Sequence, residues 1–179
     1  VVVFDELDAA AWAQVSPNGS HWARGFAVPR LLTDADAVIQ TCNLKTHRFG
    51  GHVTLSLKNS VGLAAKTVPG ERYDYMQELH GSRFQRAMIA EINAAYAPSL
   101  IVMDGVETFT TGGPDHGTRV PAEVVLAGTD RIAVDAVAVA LLRLWGTTPE
   151  VSAGPVFGQA QLARAVELGL GVGSPGEIE

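Results

Sequence analysis

Short apolar runs alternate with longer amphipathic stretches along the 179 residues, and the alternation predicts strands and helices in turn. Ala35 to Cys42, with Ala37-Val38-Ile39 at its centre, reads as a buried strand, Ser99 to Met103 as a second and Glu123 to Ala127 as a third. Between the first two, Ser82 caps a helix running to Ala95 whose Phe84, Met88, Ile92 and Ala95 share one face, and Pro98 ends it. Gly128-Thr129-Asp130 then leads into a helix from Arg131 to Trp145 with Gly146 just past its end. Pro155 to Leu168 forms the last helix, stopped at Gly169. This order predicts an α/β fold, a mostly parallel sheet with flanking helices in a layered sandwich.

The remaining segments are less periodic. Val1 to Phe4 reads as a strand, Asp5 to Ala13 as a short helix or irregular link, and Ser16-Pro17-Asn18-Gly19 as a turn before a loop through His21, Trp22 and Arg24. Pro29 to Thr33 starts a short helix, and Lys66 to Tyr75 reads as a mobile connection. Val53 to Gly62 fits two periods: Val53, Leu57 and Val61 for a helix, or Val53, Leu55 and Leu57 for a strand. Because Gly62 suits a carboxy-terminal cap, a helix is expected, with its amino terminus adding free N–H groups beside Lys45 and His47. Ile178 reads as the start of a strand cut short, so residues 1–179 are expected to be a single α/β domain truncated at one or both ends.

Charge sharpens this picture at one place. The chain carries a formal net charge of -6, yet no acidic residue falls between Asp36 and Glu71, while Lys45, His47, Arg48, His52 and Lys58 do. Such an island favours an anionic group through its local field, and Gly50-Gly51 allows close backbone approach. The acidic balance, without a long Lys/Arg run, speaks against nucleic acid as partner, and no apolar stretch reaches membrane-spanning length. Localisation is not legible, with a soluble, cytoplasmic protein the default. The single Cys42 allows no internal disulfide and no iron-sulfur cluster held by this chain alone.

Lys45 and His47 lie two apart after a strand and share a face if the chain stays extended. Lys58, set among Leu55, Leu57 and Val61, must either snorkel outward or meet an anion, and Asn59 beside it offers donor and acceptor. A divalent metal between His47 and His52 would need ligands from distant segments such as Asp104 or His116. Asp104-Gly105 closes the second strand, where open sheets bind ligands, or simply turns. Gly112-Gly113-Pro114 and Gly117 form a loop whose amides suit an anion. Asp130 is a helix cap in its plainest reading, while Asp135 is a lone carboxylate in an apolar helix and requires a partner.

Leu44-Lys45-Thr46-His47, then Thr54-Leu55-Ser56-Leu57-Lys58-Asn59 and Gly62, resemble the pattern of the family catalogued as domain of unknown function 362. The resemblance runs from Asp34 to Gly146 and covers the glycine-rich loop, Gly128-Thr129-Asp130 and Asp135. It implies a family of unsettled activity whose members often carry an adjoining ferredoxin-like iron-sulfur segment, which a chain with one cysteine does not supply. The Lys/His strand end is also loosely similar to that of nickel-pincer lactate racemases. The expected function is an enzyme binding a small carboxylate or phosphate, with His47, Lys58 and Asp104 catalytic. Lys45, Thr54, Asn59, Gly112, Gly113, Asp130 and Asp135 would hold the substrate or a cofactor. The alternative is a non-catalytic anion- or cofactor-binding module that docks a ferredoxin-like, iron-sulfur partner. The strand ends at Lys45, Asp104 and Gly128 are expected to gather at one edge.

Overall fold

A computed structural model describes residues 1–50 and 52–179. In chain order it contains strands β1 (Trp12–Val15) and β2 (Phe26–Pro29), helix α1 (Arg30–Thr33), strands β3 (Ile39–Asn43), β4 (Lys45–His47) and β5 (His52–Thr54), and helix α2 (Ser56–Asn59). Helices α3 (Tyr75–Gly81) and α4 (Gln85–Ile92) follow, then strands β6 (Leu100–Phe109) and β7 (Arg119–Gly128), and helices α5 (Arg131–Leu144), α6 (Pro149–Ser152) and α7 (Ala160–Glu167).

The α/β class holds. The central sheet has the order β3-β6-β7 and is mixed: β3 and β6 run parallel, β6 and β7 antiparallel. Side chains alternate across it, so Cys42, Ile101 and Met103 enter a core shared with Leu57 of α2, Ile132, Val139 and Leu142 of α5, and Leu162 of α7. The opposite face is open among the described residues, with Ile39 67% and Val125 62% exposed. A second core gathers Trp22, Phe26 and Val28 of the β1–β2 region with Leu79 of α3 and Met88, Ile89 and Ile92 of α4. Helix α4 therefore joins the two cores, since its Ala90 faces the first.

Several boundaries differ from the sequence reading. Val1 to Val3 are exposed and form no strand, and a short 3-10 turn, Phe4–Glu6, follows them. The β1–β2 pair stands where a link and a loop were expected. Asp104-Gly105 does not end a strand, because β6 continues to Phe109. Gly105 is needed mid-strand for space: a Cβ there would lie 2.8 Å from the Val124 side chain. The expected last helix is divided into a turn at Val156–Gly158 and α7, and residues 175–177 form a 3-10 turn in place of a terminal strand. Among the described residues no helix is long and apolar enough to cross a membrane.

Candidate functional site

The segment expected as one helix from Val53 is instead the end of a hairpin followed by a single helical turn. Strands β4 and β5 pair antiparallel in the register Lys45↔Thr54, Thr46↔Val53, His47↔His52. Opposed residues share a face of an antiparallel pair, so Lys45, His47, His52 and Thr54 all stand on one side, each partly exposed. Thr46 and Val53 point the other way and are buried, with Thr46 Oγ1 donating to the Phe109 carbonyl at 3.0 Å. Helix α2 begins two residues later and brings up Lys58. Gly62 lies inside the 3-10 turn Ser60–Leu63 rather than capping a long helix. Gly51, the second glycine of the pair expected to give close approach, lies outside the described residues.

Basic groups gather on this ribbon and on α2 beside it. Burial lowers the Lys58 ammonium from its ordinary pKa, and the charge of Lys45 lowers it further. His47 is held down to about 4 by burial first and then by Lys58, with Lys45 and Arg48 adding to the effect. Burial and Arg86 lower His52 as well, against an opposing pull from Glu150. Among the described residues no carboxylate lies within ion-pair distance of Lys45 or Lys58, whereas Arg48 is neutralised by Asp115. Thr54 Oγ1 is buried without a hydrogen-bond partner among the described residues. His47, Arg48, His52, Gly112, Thr148 and Glu150 line a cavity of about 220 Å³ at the hairpin end of this face. A larger one of about 520 Å³, lined by Gly128, Asp130, Val137 and Val172 among others, contains the carboxylates of Asp130 and Glu177 but no lysine or arginine.

Two ring nitrogens in the site are already engaged. The Phe49 amide donates to His47 Nδ1 at 3.2 Å, and Arg86 Nη1 lies 2.9 Å from His52 Nε2. His52 sits at φ 61°, a left-handed conformation that costs a bulky residue roughly 1 kcal/mol or more. Glu123, exposed on β7, shares that conformation at φ 52°, so the angle alone does not mark a site.

The expected gift of α2's amino terminus to an anion does not occur. Asp135, buried on α5, accepts from the Ser56 and Leu57 amides at 2.7 and 3.0 Å and so occupies the first N–H groups of that helix. Asn93 Nδ2 donates to the Leu57 carbonyl at 3.0 Å, and Arg131 braces Asn93 Oδ1 at 2.8 Å. Leu57 itself is fully buried, which is worth roughly 1.5–3 kcal/mol. Lys58 thus projects from a turn fixed at both ends. Burial pushes Asp135 up to about 6 despite these bonds.

Other expected site residues divide between this ribbon and elsewhere. Asn59 Nδ2 donates to the Thr41 carbonyl at 3.0 Å and so covers the free edge of β3. The loop bearing Gly112 and Gly113 packs on the hairpin, where the Arg48 amide donates to the Gly113 carbonyl at 3.2 Å and a Cβ on Gly113 would meet the Thr46 carbonyl oxygen at 2.4 Å. Asp104 is exposed, pairs in register with Asn43, and accepts from the Val106 amide at 3.0 Å. Asp130 caps α5 through the Ile132 and Ala133 amides at 2.7 and 2.9 Å and also accepts from the Val172 amide at 2.8 Å. The gathering of strand ends at Lys45, Asp104 and Gly128 does not hold. Because β7 is antiparallel, its end at Gly128 pairs with Ile101, near the beginning of β6. Cys42 is buried and its thiol is pushed up to about 12, as expected for a core cysteine.

Arg86 and Glu150 were not anticipated. Nothing local could reveal Arg86, which arrives on α4 from 34 positions away. The hairpin did have a signal: Gly50-Gly51 set between Lys-Thr-His and His-Val-Thr, two alternating segments flanking a glycine turn pair. Among the described residues no group of three or more His, Cys, Asp or Glu is placed to hold a metal ion.

Known proteins locate this arrangement within a family. A thylakoid-associated protein of Synechocystis is 32% identical over 113 residues, covering 62% of this chain and 34% of that protein. The chain thus aligns with about a third of that relative's length. No solved structure matches the chain significantly. The family model described as "Domain of unknown function (DUF362)" matches residues 1–140, and the chain belongs to that family.

Proposed function

We propose that the β4–β5 ribbon and Lys58 bind a small oxyanion, a carboxylate or a phosphate, and polarise it. The observation that carries this reading is the pair of lysines, Lys45 and Lys58, close enough for each other's field and left without a carboxylate among the described residues. Partly buried like charges destabilise a fold unless something compensates them, and an oxyanion does so while accepting their N–H bonds. Thr54 adds a buried hydroxyl in search of a partner.

The enzyme and binding-module readings part at His47. General acid-base work at neutral pH favours a group titrating near the operating pH. With its pKa held near 4, His47 is better suited to orienting a ligand than to exchanging protons with it. Binding with electrostatic polarisation is therefore the function favoured here. Docking of an iron-sulfur partner rests on the family resemblance alone.

Isothermal titration calorimetry on the chain, with inorganic phosphate and with acetate, tests this. Saturable binding of either is expected, weakened about tenfold by Lys45→Ala and by Lys58→Ala, as for loss of one charge-assisted hydrogen bond. Absence of saturable binding in the wild type, or binding indifferent to both substitutions, would remove the proposal.

A further inference from the structure

We infer that His47 serves this site as a neutral hydrogen-bond donor through Nε2–H, and that the cavity it lines with His52 accepts an oxyanion and refuses a transition-metal cation. The inference rests on the small-anion reading and deepens it. The Phe49 amide, 3.2 Å from His47 Nδ1, has only a proton to offer, so Nδ1 must present its lone pair. A neutral imidazole then carries its single proton on Nε2. The same argument fixes His52 in the opposite tautomer: Arg86 is a donor only, its Nη1 lies 2.9 Å from Nε2, and the ring proton falls on Nδ1.

The charges around the rings favour the same state. Lys58, Lys45 and Arg48 act on His47, and Arg86 acts on His52, where Glu150 pulls the other way. Asp115 is engaged by Arg48, with His116 beside them. An imidazolium at His47 would face the positive charges of Lys58, Lys45 and Arg48, which together with burial outweigh the raising effect of the Phe49 backbone.

Metal ligation needs a bare ring nitrogen. At each histidine one nitrogen accepts from the protein and the other holds the proton, so neither offers a lone pair to a cation. What the cavity does offer is donors, the His47 Nε2–H and the Arg48 guanidinium, in the field of Lys45 and Lys58, which act on His47 from outside the cavity lining. That set matches a ligand built of acceptors. Phosphate and carboxylate share this chemistry.

Long-range proton–nitrogen correlation on the chain labelled at histidine reads each ring's tautomer. It is run at neutral pH alone, with inorganic phosphate, with acetate and with zinc. The expected result is Nε2–H at His47, Nδ1–H at His52, a shift of the His47 Nε2–H resonance with at least one anion, and no ring response to zinc. In calorimetry, His47→Gln retains an N–H donor and is expected to keep the anion affinity within about threefold, whereas His47→Ala loses about tenfold. An Nδ1–H tautomer or an imidazolium at His47, or zinc binding that His47→Ala abolishes, would overturn the inference alone if an anion still binds. Correct tautomers with no response to either anion would overturn its ligand half together with the reading beneath it.

Discussion

The cluster around Glu91 and the cluster around Lys45 and Lys58 both join histidine to other charged groups, and they differ in whether the charges are answered. Around Glu91, fully buried on α4, one carboxylate oxygen accepts from Ser20 Oγ and the His21 amide at 3.0 and 2.9 Å. The other meets His21 Nδ1 at 2.6 Å and Arg164 Nε at 3.0 Å. Arg164 also donates to the Gly19 carbonyl at 2.7 Å and pairs with Glu167 at 3.0 Å. That cluster ties the amino-terminal loop, α4 and α7 together, and its charges meet within the chain. Lys45 on the β4–β5 ribbon and Lys58 on α2 beside it have no such answer among the described residues. Residue type does not distinguish the two regions; whether the partner is internal does.

Breaking the answered cluster should have the largest effect on stability. Glu91→Ala leaves Arg164 and His21 without their shared carboxylate, and loss of one partner from a buried ionic cluster costs about 3–5 kcal/mol. Urea denaturation measures this. Phosphate affinity, taken where the variant remains folded, should stay within about twofold, because Glu91 belongs to the other region. A parallel loss of affinity would show that the regions are coupled through α4, which carries both Glu91 and Arg86.

Asp135 comes next, because it is structural in its contacts yet supports the ribbon. Asp135→Asn retains one acceptor oxygen and turns an N–H group toward one of the two α2 amides, leaving a buried donor unmet at a cost of about 2 kcal/mol. Phosphate affinity should fall as well, although Asp135 does not line the cavity, since the turn bearing Lys58 loses its anchor. Lower urea stability with undiminished affinity would mean that Lys58 needs no such anchor.

The sequence exposed those parts of this design that depend on local pattern. The α5 helix, the cap at Asp130 and the cationic island all follow from neighbours along the chain. The hairpin had a glycine-pair signal that was outweighed, because strands of three residues display little of a period and Val53, Leu57 and Val61 imitate a helix face. Asp104-Gly105 looked like a turn because the constraint on Gly105 comes from Val124 across the sheet. The need of Asp135 for a partner was legible from its apolar surroundings, but not which partner, since Ser56 lies 79 positions away. Charge balance is therefore partly readable from sequence, and its closure is not.

The smallest effect is a difference in slope with pH. The folded-state pKa of His47, about 4, lies below its ordinary 6.5, so the folded protein resists protonating it. Its contribution to stability is intact above pH 6.5 and is lost as pH falls toward about 4. For Asp135 the folded value, about 6, lies above the ordinary 3.8, so the folded protein favours the protonated acid. Its contribution is greatest below 3.8 and is lost as pH rises toward about 6. Across the shared window the two groups pull in opposite directions. Urea midpoints for wild type, His47→Gln and Asp135→Asn, followed through that window, should give difference curves of opposite slope. Curves of the same slope would mean that the folded-state pKa of one of these groups is shifted in the opposite direction, so that its surroundings stabilise its charged form. Since both groups act on Lys58 or its anchor, the separation between unanswered and answered charge would then have to be redrawn at α2.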